Sequence, residues 1–142
     1  MPPNREGVVV KIVLRSVGGL VLLLVVVFGL QSIAAESGEV VVLTTHEAGG
    51  ESHETRLWVV DHEGSAWLRS GGDSMTWYLR LQQQPGVEVE RGGSRGSFTA
   101  VPVVEARETI NRLMLEKYGW ADRYISALFG REDSVPIRLD PR

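Results

Sequence analysis

The sequence predicts a mainly β domain of the α+β class, with six short antiparallel strands and two or three helices, preceded by one amino-terminal apolar helix. Three observations carry that reading. Val17 to Leu30 runs fourteen residues without a polar side chain. From Val40 onward, short β-branched and aromatic runs alternate with turn signals, and helical spacing returns only in three later stretches. With 142 residues in total, the remainder after the apolar run has room for a single domain.

Arg5, Lys11 and Arg15 precede the apolar run, and the next cation after it is Arg56. That bias keeps the amino terminus in the cytoplasm and sends the rest of the chain across, as a single-pass membrane protein with its carboxy-terminal domain outside. From Val17 to Ala35, with Gln31 and Ser32 as the polar interruptions, nineteen residues are enough for a hydrocarbon core of about 30 Å. A cleaved signal peptide is the alternative, with a small-x-small site at Ser32-Ile33-Ala34. A buried core helix is excluded, because the run has no polar face to offer water. Residues 1–35 are therefore expected to be a membrane anchor or signal peptide, and residues 36–142 the folded domain.

Val40 to Thr45 is a β-branched strand closed by His46-Glu47-Ala48-Gly49-Gly50, and Glu54 to Val60 returns as the second strand of a hairpin. Asp61-His62-Glu63-Gly64 turns the chain into a third strand, Ser65 to Ser70, so three antiparallel strands are expected in order. After Gly71-Gly72, Asp73 or Ser74 caps a helix that Pro85 stops near Gln84, with Trp77, Leu81 and Gln84 on one face and Tyr78 beside them. Val87 to Glu90 and Ser97 to Val103 flank Arg91-Gly92-Gly93-Ser94 as a second hairpin. Ala106, Ile110, Leu113 and Met114 form the buried stripe of a helix over 105–118 that ends at Gly119. A short helix over 121–129 and a last strand over 135–139 complete the order β-β-β-α-β-β-α-α-β.

Composition excludes several classes of function. Residues 36–142 carry 12 Arg and Lys against 17 Asp and Glu, a net charge of −5, which disfavours nucleic acid as a partner. With no cysteine, disulfides, thiolate metal sites and a Cys nucleophile are absent. Gly92-Gly93-Ser94-Arg95-Gly96 matches G-x-S-x-G, but it joins two strands instead of a strand and a helix, so it reads as a hairpin turn. His46-Glu47, His53-Glu54 and His62-Glu63 do not complete a zinc motif, and strand neighbours point to opposite faces, so no metal site is expected.

One constellation remains. Trp67-Leu68-Arg69-Ser70 leads into Gly71-Gly72 and then a helix bearing Trp77-Tyr78. Backbone N–H groups at such a turn suit an anion, and the aromatic side chains suit a flat ring. The plainer alternative is that Gly71-Gly72 only turns the chain and Trp77 fills the core.

Here the chain resembles a known family. Val41-Val42-Leu43-Thr44-Thr45, Arg56 with Leu57-Trp58-Val59-Val60, Ser70-Gly71-Gly72, Trp77-Tyr78-x-x-Leu81, Pro85-Gly86-Val87-Glu88-Val89, Tyr118, Tyr124, Arg131 and Val135-Pro136-Ile137-Arg138-Leu139 resemble the deazaflavin (F420)-dependent nitroreductase and quinone-reductase family. The resemblance covers nearly all of residues 40–142. It implies a six-stranded antiparallel split β-barrel with helices packed outside, and hydride transfer from a reduced flavin or deazaflavin to a small lipophilic quinone or nitro compound. The implied roles place Ser70, Gly71 and Gly72 at the cofactor, Arg69 or Arg56 as its counter-cation, Trp77 and Tyr78 as ring walls, and Tyr118 as a catalytic donor on the substrate side. A homodimer is compatible with such a fold.

Departures from the family pattern bear on the cofactor. Glu47-Ala48-Gly49-Gly50-Glu51 stands where family members carry Gly-Arg-Lys-Ser-Gly, a Lys after Ser70 is missing, and Arg80 replaces an Asn. Deazaflavin F420 bears a phosphate and a polyglutamate tail, whereas FMN bears one phosphate. Charge balance therefore leads us to expect FMN to bind more tightly than F420. The alternative to an enzyme is a split barrel without cofactor, binding an apolar or anionic small molecule or serving a membrane complex.

Overall fold

The computed structural model describes residues 5–36 and 38–142. The chain divides into one unit up to Ile33 and a second from Ala34 to Arg142. Helix α1 (Arg5–Glu36), whose last three residues fall in the second unit, contains the exposed 24-residue stretch Gly7–Leu30, long and apolar enough to cross a membrane. Its length, roughly 36 Å at 1.5 Å per residue, exceeds a hydrocarbon core of about 30 Å. A signal sequence meets the same description, and Ser32-Ile33-Ala34 falls inside this helix.

The second unit is a curled antiparallel sheet of seven strands with three α-helices. The strands are β1 (Val40–His46), β2 (Ser52–Trp58), β3 (Val60–His62), β4 (Ser65–Ser70), β5 (Gly86–Arg91), β6 (Ser94–Pro102) and β7 (Val135–Pro141). Helix α2 (Thr76–Gln83) lies between β4 and β5, and α3 (Arg107–Tyr118) and α4 (Trp120–Phe129) lie between β6 and β7. The mainly antiparallel class and the three helices of the domain agree with the sequence reading. The strand count is seven and not six, because the run expected as one strand to Val60 breaks at Val59.

That break changes the topology. The order across the sheet is β2-β1-β5-β6-β7-β4-β3, so β2 and β3 lie at opposite edges and the three strands expected in succession do not pair in succession. At the corner, the Val59 N–H leaves the ladder and donates to the Tyr118 hydroxyl at 3.0 Å. Val59 enters the barrel core and Val60 the second cluster under α3, as neighbours on extended backbone must. Leu68 and Trp67 divide between the same two clusters. The main core gathers Val41, Leu43, Leu68, Ile137 and Leu139 against Trp77, Tyr78 and Leu81 of α2, while Ile110, Met114 and Tyr118 carry the second.

Turn chemistry explains the hairpins. Gly92 and Gly93 have φ of 57° and 80° between paired Arg91 and Ser94, the left-handed pair of a two-residue turn that twists with its strands. Gly119, with φ of 57°, is both the last cap of α3 and the first of α4. The cap expected from Asp73 or Ser74 is not made: α2 starts one residue later, behind Met75, without a side-chain cap.

Candidate functional site

A groove of about 270 Å³ opens where the end of β2, the end of β4 and α4 converge. β2 contributes Arg56, Leu57 and Trp58; β4 contributes Arg69; the β4–α2 turn contributes Gly71 and Met75; and Trp77 closes one wall. Met114, Ile125, Ser126, Phe129, Gly130 and Ser134 complete it. Of the residues expected from sequence, Arg56, Arg69, Gly71 and Trp77 are thus brought together. Trp77 is only 8 % exposed and belongs to the main core while also lining the groove.

Arg69 is held rigidly. One of its guanidinium nitrogens donates to Asp122 and the other to Asn111 Oδ1 at 3.2 Å. Asp122 is fully buried and also accepts from Arg131 Nη2 at 2.6 Å. Two guanidiniums thus share one carboxylate, which leaves a net positive charge beside the groove. Asn111 Nδ2 donates to Ser134 Oγ at 3.1 Å, and Arg107 Nε donates to the Ser134 carbonyl at 2.6 Å, which extends the network beneath α4. Arg131 Nε donates to Ser126 Oγ at 2.6 Å. Sequence reasoning assigned no role to Asp122, Asn111 or Ser134. The available signal was a carboxylate beside Ala121 on what becomes the buried side of an apolar helix.

The other expected residues lie around this groove without lining it. Ser70 is fully buried, and its hydroxyl donates to the Gly72 carbonyl at 2.6 Å, so it shapes the turn. Tyr78 packs in the main core, and its hydroxyl accepts from Gln82 Nε2 at 3.2 Å. Tyr118 stacks on Trp58 with ring centroids 4.5 Å apart and planes within 8°. Its hydroxyl accepts the Val59 N–H, and its single proton lies between the carbonyls of Glu39 at 2.7 Å and Val59 at 2.8 Å. Burial raises its phenol above the ordinary value, so it stays protonated at neutral pH. Tyr118 therefore reaches the groove through Trp58.

A wider, more polar groove of about 900 Å³ adjoins the first and shares Met75 and Trp77 with it. Here Arg80, the residue that departs from the family pattern, pairs with Glu47 at 3.2 Å, and His53 Nε2 lies 3.0 Å from the same carboxylate. The acid that sequence reasoning set against an anionic ligand is thus partly neutralised from within. The adjacent pair His62-Glu63 does not diverge, its Nε2 and carboxylate lying 3.9 Å apart, and Glu47, Glu51 and His53 converge across the first hairpin, with candidate ligand atoms within 4.8 Å of one another.

The apolar lining, the indoles of Trp58 and Trp77 and the guanidiniums of Arg56 and Arg69 fit a flat heteroaromatic ring with an anionic substituent. Residues 29–139 match the profile of the F420H(2)-dependent quinone reductase family. An F420-H2 dependent reductase (FDR-A) of known structure is 27 % identical, with a TM-score of 0.55 over 70 % of this chain and 92 % of its own. A structure described as a domain-swapped dimer is 26 % identical, with a TM-score of 0.55 over 70 % of this chain and 78 % of its own. A conserved hypothetical protein of Mycobacterium tuberculosis, 20 % identical, has a TM-score of 0.57 over 79 % of this chain and 78 % of its own. No curated protein is a significant sequence match.

Proposed function

This chain belongs to the F420H(2)-dependent quinone reductase family, a family of oxidoreductases, and from that membership we propose that it passes a hydride from reduced F420 to a lipophilic quinone or nitro compound in the groove between β2, β4 and α4. The observation that carries the assignment to this groove is the fixed guanidinium of Arg69 beside the walls of Trp58 and Trp77. The family favours F420 over FMN, and the Arg80–Glu47 pair weakens the charge argument for FMN.

Reduced F420 supplies the hydride when bound. The chain's own part is to bind, orient and dry the site. Trp77 and Trp58 flank a planar ring, while Met114 and Ile125 exclude water and the more exposed Phe129 lines the groove beside them. An acceptor oxygen gains negative charge as hydride arrives at its ring. Arg69 is already oriented by Asp122 and Asn111, so it can meet that charge without rearranging. Arg56 provides a second cation at the rim. Ser70 and Gly72 hold the turn that presents Gly71, Tyr78 packs behind Trp77, and Tyr118 acts as a positioning residue for Trp58.

The helix over Gly7–Leu30 would keep this site near a membrane-dissolved acceptor, with the domain outside the cytoplasm as the cation bias directs. A homodimer is compatible with this arrangement, as dimers occur among structural relatives. Parallel fluorescence titrations of the full chain with F420 and FMN test the cofactor. Tighter binding of F420 is expected, and tighter binding of FMN would reverse the assignment.

A further inference from the structure

Helix α4 has an apolar stripe on the side turned away from the domain. Ala121, Asp122 and Ile125 face inward, whereas Trp120 and Leu128 are 54 % and 49 % exposed and lie, with Tyr124 between them, at i, i+4 and i+8. A surface helix ordinarily shows polar residues there. The stripe begins where the chain enters the domain: Gly38 packs against the Tyr118 ring, the Glu39 carbonyl accepts from the Tyr118 hydroxyl, and Trp120 follows two residues later. Glu39 is further clamped by Arg91 at 2.6 and 3.0 Å and by Lys117 at 2.6 Å, so the entry point is fixed to the domain. Leu30, the last residue of the apolar span, is eight residues from Gly38, a reach of at most about 28 Å even if fully extended.

We propose that the stripe of α4 formed by the exposed Trp120 and Leu128, with the half-buried Tyr124 between them, rests in the interfacial layer of the same bilayer that Gly7–Leu30 would span. The proposal rests on the anchored reading given above. Trp and Tyr are the residues that settle at the boundary between headgroups and acyl chains, and Leu128 adds an apolar contact beyond them. Arg123, exposed on the flank of the stripe, is placed to meet headgroup phosphates. The same helix carries Ile125 and Phe129 into the groove, so a lipid-dissolved acceptor would enter along α4 without crossing bulk water.

The absence of native cysteine makes the test direct. Full-length Leu128→Cys and Gln83→Cys are labelled with an environment-sensitive fluorophore and reconstituted in phosphatidylethanolamine/phosphatidylglycerol vesicles, with and without lipids nitroxide-labelled on the acyl chain. Gln83 is an exposed control beyond Gly86, at the end of β5 opposite Arg91, about 16 Å along the strand. The inference expects blue-shifted emission and strong quenching by the labelled lipids at position 128, and neither at position 83. An aqueous, unquenched probe at position 128 in vesicles that carry the protein through flotation and an alkaline wash overturns the inference and leaves the anchor standing. A shielded probe that the labelled lipids do not quench also overturns it, because protein then covers the stripe. Failure of the protein to float with the vesicles removes the anchor reading, and the inference with it.

Discussion

Asp122→Ala isolates the network that orients Arg69. The carboxylate is fully buried and accepts from two guanidiniums, Arg69 at 10 % side-chain exposure and Arg131 at 31 %. Each charge-assisted bond is worth about 1.5–3 kcal/mol, with Arg131 at the low end because water reaches it. The variant would also leave two like charges side by side under α4, and removing one member of a buried ion pair costs about 3–5 kcal/mol. For a domain of this size, 1 kcal/mol shifts Tm by about 4 °C or more, so Tm of the detergent-solubilised chain should fall by at least about 12 °C. Arg131→Ala, which leaves the Arg69–Asp122 pair intact, should cost only about 1–2 kcal/mol. The reasoning fails if Asp122→Ala unfolds within about 4 °C of the wild type, or if Arg131→Ala proves the more damaging change.

Two further outcomes are expected. Arg91 first and Lys117 second lower the Glu39 carboxyl from 4.5 to about 2, so the clamp contributes stability above pH 4.5 that is lost as pH falls from there towards 2. Thermal unfolding of wild type and Glu39→Gln should accordingly differ at pH 7 and converge near pH 2, and a difference that does not change with pH would show that the charge is irrelevant. Trp77→Ala should lower stability by about 3–5 kcal/mol and weaken F420 binding, since the ring belongs to both core and groove; thermal unfolding with ligand titration checks both, and unchanged stability would remove Trp77 from the core.

The strands were readable wherever local chemistry decides them. β-branched runs, the Glu63-Gly64 and Gly92-Gly93 turns, and the helical stripes of Ile110 and Met114 all depend on neighbours within a few residues. The break at Val59 was not readable, because it is made by Tyr118, 59 residues away, whose hydroxyl takes the N–H that a continuous strand would have used. The same holds for the site. Arg69, Gly71 and Trp77 flank one turn and could be picked out together, and the family resemblance added Arg56. Asp122, by contrast, reads locally as an ordinary acid in the first turn of a helix. Its burial follows only from α4 lying on the end of β4. Tyr118 illustrates the same point, since a lone tyrosine at a helix end gives no sign that it will hold Trp58 and the entry of the chain into the domain.

The central claim, that this groove carries hydride transfer from reduced F420, is tested most directly by anaerobic oxidation of F420H2 in the presence of a membrane-soluble quinone. The assay compares the full chain with Arg69→Met, which leaves Asp122 paired to Arg131. We expect oxidation to require both protein and quinone and to fall about a hundredfold in kcat/KM when the oriented guanidinium is removed. F420H2 left unoxidised by the wild-type chain, or an undiminished rate from Arg69→Met, would contradict the account.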